Sequence, residues 1–287
     1  MSERKLPSHI ADALAASGGA TDSADRPWAG RDLSSTGETV HQFGNDDGAS
    51  DPEYVRTLEA LNAGRGTEAD VVAQLATVRL FVPIVAEVAA AAPEADSPVD
   101  DKESDMAMVS LRAPDGRKAL PVFSNVADLE RWHPQARPVA VVAPRAALSA
   151  AAEDAQLMVV DPGGAQTFVV RRPAAWSLAQ QLRWTPSYLN DQVQQAVRRA
   201  VEDLQAVTAA GVTAGSGVAS SLGDGRTVHG GGPGPELRIN VTLIPGLDER
   251  QVQSVVSEMQ TRLAADQEFV DLVDSLEIKL AASVPEH

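Results

Sequence analysis

The feature that most constrains this chain is an alternation of short apolar runs with capped amphipathic segments between residues 51 and 183. Apolar runs bounded by turn signals read as strands, and apolar positions three and four apart read as helix. Asp51-Pro52, an N-cap followed by proline at the first helical position, predicts a helix to about Asn62 that buries Tyr54, Val55, Leu58 and Leu61. Thr67-Glu-Ala-Asp70 fits a capping box and opens a second short helix carrying Val71, Val72 and Leu75. Residues 78–85 read as a largely buried strand, with Pro83 marking an edge or a bulge. After an acidic loop over 89–105, strands at 106–111 and 118–123 form a hairpin around the turn Ala113-Pro-Asp-Gly116. A helix at 126–132, a strand at 138–142 and a helix at 145–152 follow. Strands at 156–160 and 166–170, joined by Asp161-Pro-Gly-Gly164, and a helix from Pro173 to about Leu182 complete the stretch. That order predicts an α/β domain over 51–183 built on a mixed sheet.

Thr185-Pro186, again a cap plus proline, opens a smaller unit over 185–281. Leu189, Val193, Val197, Ala200, Val201 and Leu204 predict one helix through about Val207. Strands at 212–222 and 236–244 pair across a Gly-rich loop over 223–235, Asp248 caps a helix, and Leu276-Glu-Ile-Lys-Leu280 is the closing strand. The result is a smaller α+β (α-β-β-α-β) domain. Residues 1–50 lack periodicity and read as a flexible acidic arm, with 282–287 as a tail.

Aromatics are 4% of the residues, so Val, Leu, Ile and Ala must fill the cores. The chain has no cysteine, which excludes disulfides, thiolate catalysis and Cys-ligated metal centres. Its polar start lacks a signal-peptide core and no apolar run approaches a membrane span, so a cytoplasmic protein without membrane contact is expected. The net charge is −16, of which residues 1–53 hold −6 and residues 94–105 hold −5. That field repels phosphate backbones and argues against direct nucleic-acid binding.

Motifs for chemistry fail one by one. Asn45-Asp-Asp-Gly-Ala-Ser-Asp51 puts Phe43 and Tyr54 where a calcium loop needs carboxylates. Gly215-Ser-Gly217 is followed by Ser220 where a dinucleotide fingerprint needs a small apolar residue, and Gly230-Gly-Gly-Pro-Gly-Pro235 has no P-loop lysine. Both glycine clusters are read as structural. His9, His41, His133, His229 and His287 show no metal-ligand spacing, and no serine lies in a nucleophile elbow. No cofactor, metal or catalytic residue is therefore expected, and the chain is read as non-enzymatic. Trp28, in an otherwise polar arm, either pins the arm to the body or meets a partner. Pro121, Phe123 and Trp132 suggest either ordinary core and edge packing or a groove for a peptide or protein.

Leu80-Phe-Val-Pro-Ile-Val85, Arg117-Lys-Ala-Leu-Pro-Val-Phe-Ser124, the Trp-bearing helix, Arg137-Pro-Val-Ala and Leu157-Met-Val-Val-Asp-Pro162 follow in that order. Together they resemble the SseB family, named for enhanced serine sensitivity. The resemblance covers about 55–183, extends to a C-terminal domain like the family's over 185–281, and in the arm is similar to the actinobacterial branch. It implies an α/β domain with no cofactor or catalytic residue to carry over. Two functions are expected in competition. One is a non-enzymatic interaction or regulatory protein that binds another cytoplasmic protein or itself. The other is a small-molecule binder, with amino acids the first ligands to try, or a cryptic enzyme, with a pocket between the domains.

Overall fold

Two side chains that take the free amides of a first helical turn start the ordered chain. Asp51 accepts from the N–H groups of Glu53 and Tyr54 at 2.8 and 3.0 Å and starts α1, Pro52–Asn62. Thr67 and Asp70 form a reciprocal capping box on α2, Glu68–Leu75. The computed structural model describes residues 43, 46–87, 105–113 and 115–283. Trp28 with the arm to residue 42, the acidic loop over 88–104 and the tail from 284 lie outside them. Gly48–His287 form one compact unit, distinct from Met1–Asp47.

The chain continues through β1 (Arg79–Glu87), β2 (Asp105–Met108), β3 (Leu111–Arg112), β4 (Lys118–Val122), α3 (Val126–Trp132), β5 (Arg137–Val142), α4 (Ala143–Ala152), β6 (Leu157–Val160), β7 (Phe168–Val170) and α5 (Arg172–Ala179). One sheet is ordered β2-β1-β5 and a second β3-β4-β6-β7; β4 and β6 are parallel, the other pairs antiparallel. The fold is thus α/β with mixed sheets. Leu80, Val82, Leu120, Val122, Met158, Val160 and Phe168 meet α4 and α5 in one apolar core.

Several local expectations change. Pro83 lies in the central strand, neither at an edge nor at a bulge. Its carbonyl accepts from Val109 N–H, so its nitrogen faces the same side, one residue beyond the last β1–β2 pair, Ile84↔Met108. The one bond a proline cannot donate thus falls at the end of that pairing. The expected strand 106–111 is split: β2 joins β1, and only Leu111–Arg112 pairs with β4. The last helix of the stretch stops at Ala179, three residues before Leu182, and Gln181 takes a φ of +57°.

In the second stretch Pro186 precedes one 3₁₀ turn, Ser187–Leu189, and α6 (Asp191–Val201) begins later because the Asn190 side chain caps Gln192 N–H at 2.8 Å. Then come β8 (Val207–Ala214), β9 (Ala219–Ser221), β10 (Thr227–His229), β11 (Leu237–Leu243), α7 (Glu249–Ala265), α8 (Gln267–Leu272) and β12 (Leu276–Ala282). β11 is central, antiparallel to β8 and parallel to β12. Its residues 237, 239, 241 and 243 face Val193, Val197, Met259 and Leu263 in a second core.

The expected strand 212–222 holds only as far as Ala214. The chain leaves the sheet at Ala214, and residues 215–235 cross to the first stretch as the β9–β10 hairpin. Val169 N–H donates to Gly231, Gly223 N–H donates to Ala165, and Val228 enters the first core. Glycine makes the crossing possible: a Cβ on Gly217 would lie 1.9 Å from the Gly234 carbonyl carbon. Arg171 closes it. This side chain, 2% exposed, donates to the carbonyls of Gly234, Gly232 and Gly217 at 2.6, 2.6 and 2.9 Å. Asp274 lies 3.6 Å away and also holds Arg117 at 2.8 Å. Arg171→Met strands three buried carbonyls and unbalances the buried charges, so urea unfolding should show a loss of about 3–5 kcal/mol.

Candidate functional site

Three segments far apart in sequence converge beside this crossing. The end of α1 brings Leu61 and Asn62, the turn into α2 brings Gly64, Gly66, Thr67, Glu68 and Ala69, and the 3₁₀ turn brings Pro186, Tyr188 and Leu189. Thr227, Val228 and His229 of β10 complete the walls of a cavity of about 480 Å³. The capping box sets the start of α2, with Asp70 Oδ2 accepting from Thr67 N–H and Oγ1 at 2.8 and 2.7 Å. Those hydrogen bonds hold the Asp70 carboxyl below the usual carboxylate range. The 3₁₀ turn is fixed by fully buried Glu236, which accepts from Ser187 N–H at 3.1 Å and Asp274 N–H at 3.2 Å.

Glu68 occupies the first position of α2, where an acid normally meets water, yet it is 3% exposed. Its Oε2 accepts from Gly231 N–H at 3.0 Å and its Oε1 from the Tyr188 hydroxyl at 3.2 Å. The Tyr188 ring meets His229 edge-on, centroids 6.0 Å apart, with the hydroxyl 3.5 Å from Nε2. Burial first, then the Glu68 charge and hydrogen bond, push the Tyr188 hydroxyl far above the usual phenol range. It remains a protonated donor at neutral pH, unsuited to act as base or nucleophile. Asn62 Nδ2 donates to Gln166 at 2.9 Å, while Asn62 Oδ1 is buried with no partner. The arrangement offers acceptors, an apolar wall and an exposed imidazole. Among the described residues no group of three His, Asp or Glu side chains could hold a metal, and no helix is long and apolar enough to cross a membrane.

The residues singled out for partner contact lie elsewhere. Trp28 is outside the described residues. Pro121 and Phe123 are buried, which withdraws both from any contact surface. Pro121 sits inside the sheet where β3 has ended, and Phe123 bridges to Phe81 of β1 with N–H···O distances of 2.7 and 2.9 Å. Half-buried Trp132 packs on Phe123 at 5.4 Å between centroids.

Beside them, at the carboxyl ends of the parallel strands β4 and β6, lies another buried carboxylate. Asp161 accepts from Ser124 N–H and Oγ, both at 2.7 Å, and Ser124 Oγ lies 2.8 Å from Ser50 Oγ. Ligands of open α/β sheets often bind at this edge, but here the chain's own groups take both oxygens. Burial pushes the Asp161 carboxyl up to about 6, outweighing the Ser124 hydrogen bonds that pull it down, and Asp128 adds to the rise. A carboxyl raised in the fold stabilises below its unfolded value near 3.8 and loses that contribution as pH rises through about 6. Asp161→Asn should therefore flatten the pH dependence. Between pH 4 and 7 the wild type should lose about 2 kcal/mol relative to the variant, read from paired urea titrations.

Residues 55–177 match the family model described as the SseB protein N-terminal domain. No curated protein and no solved structure matches the chain. The matched segment holds the antiparallel β2-β1-β5 sheet, the mixed β3-β4-β6-β7 sheet, α1 from Val55 onward, α2 and the Glu68 wall of the cavity, while Tyr188 and His229 come from beyond it. Residues 55–177 thus form an SseB N-terminal domain.

Proposed function

We propose that this protein is a non-enzymatic, cytoplasmic binding protein of the SseB family, whose regulatory ligand is a small molecule held in the cavity of Glu68, Tyr188 and His229. The observation that carries the reading is the convergence of a buried carboxylate, a protonated phenol and an exposed imidazole on one apolar-walled cavity of about 480 Å³. Sites for small molecules are concave and mostly apolar, with a few placed polar groups. The groups that bear protons are placed to hold a ligand, since the Tyr188 hydroxyl keeps its proton. A ligand there would touch α2, the 3₁₀ turn and β10 at once, which gives binding a way to tighten the crossing. A chain without cysteine loses nothing in a reducing compartment.

A second reading, an interaction protein, is favoured by one observation. The outer face of the β3-β4-β6-β7 sheet carries a groove of about 410 Å³ lined by Leu111, Ala119, Leu157, Val159 and Val169, with Pro233 on its wall. A second copy laid in that groove would make sedimentation concentration-dependent.

The cavity reading is tested by a thermal-shift panel of small cationic, neutral and anionic compounds, repeated on Thr227→Trp, which sets a ring over the mouth. A binder should raise Tm as mass action requires, and the variant should abolish that rise. No compound of any charge raising Tm would sink the reading.

A further inference from the structure

Glu68 is a buried carboxylate with no cation beside it. Among the described residues it forms no ion pair, and neither lysine nor arginine lines the cavity. Its partners are neutral, an amide N–H and a phenol O–H. Burying a charge without a counter-charge is costly, and a carboxylate carries about four lone-pair sites, so each oxygen here can accept once more. The Tyr188 bond, at 3.2 Å, is long for O–H···O and leaves room for a second donor. Asn62, whose Oδ1 is buried without a partner, lines the same cavity.

The remaining walls fix the rest of the ligand. Leu61, Pro186, Leu189 and Val228 are apolar. An ammonium brings several donors, no acceptor and one positive charge, which complements Glu68 and Asn62 together. A carboxylate or phosphate would meet Glu68 as a like charge. We propose that the ligand of this cavity carries an ammonium group on a short apolar body, with the ammonium seated on Glu68 and Asn62 and the body against Leu61, Leu189 and Val228. The inference rests on the cavity reading above and adds the charge and shape of what it takes.

The full chain is titrated with n-butylammonium, 1-butanol and butyrate while the ring resonances of His229, assigned with His229→Asn, report occupancy by NMR. Butylammonium should shift them saturably, about tenfold or more tighter than 1-butanol, and butyrate should not shift them. Glu68→Gln should bring butylammonium down to the level of 1-butanol, and Tyr188→Phe, which keeps the carboxylate, should preserve the preference. Binding of 1-butanol or butyrate as tight as butylammonium would overturn the ammonium assignment and leave the cavity reading standing. An undiminished preference in folded Glu68→Gln would overturn it too. Silence of His229 to all three probes would remove both. Should Glu68→Gln fail to fold, the three-probe comparison on the wild type decides alone.

Discussion

The buried guanidinium of Arg171 is the contact on which the rest of the molecule depends. Three glycine carbonyls hold it at 2.6–2.9 Å, whereas its carboxylate partner Asp274 stands 3.6 Å away. The short carbonyl bonds fix its position, and the carboxylates set its charge balance. Asp274 is held more closely by Arg117, and Arg171 acts on the fully buried Glu236. Two guanidiniums and two carboxylates thus offset one another where the crossing meets the β3-β4-β6-β7 sheet. Only an arginine reaches several carbonyls at once with a rigid fork of donors. Only glycines let the two backbone runs approach closely enough to present those carbonyls.

The cavity follows from that clamp. With Gly231 held next to β7, its amide points at Glu68, and Glu236 in turn sets the turn that carries Tyr188. Among the described residues two buried carboxylates, Glu68 and Asp161, form no ion pair, and the fold treats them differently. Asp161 has an amide and a hydroxyl at 2.7 Å on its two oxygens and lies closed under Ser124. Glu68 has longer contacts at 3.0 and 3.2 Å and opens onto a cavity. Enclosure makes the first a latch of the sheet edge, and access makes the second a site.

Much of the fold was legible because it is written locally. The caps at Asp51, Thr67 and Asp248, the helix at 126–132 and the strands at 156–160 and 166–170 stand within a residue or two of where periodicity puts them. What escaped is what depends on partners distant in sequence. Pro83 reads as an edge marker until the end of β2 is known, and 212–222 alternates like a strand although its second half leaves the sheet. The glycines of 215–217 and 230–235 were read as structural, and close backbone approach supplies the reason. The candidate site was invisible for the same cause. Glu68 looks like an ordinary first-turn acid, and nothing near it in the sequence announces Tyr188 or His229.

The crossing also imposes an order of events on synthesis. Glu68 and Gly231 are 163 residues apart, so the first core cannot be completed until about half of the second stretch has been made. Before then a growing chain exposes the apolar bed of Val228 and a charged Arg171 without its carbonyls. Contacts of such long sequence separation slow folding and prolong exposure of sticky surface. Maturation is thus timed by the arrival of one glycine-rich hairpin, and a ribosome stalled before it releases a nascent chain whose first core is still open to chaperones and proteases.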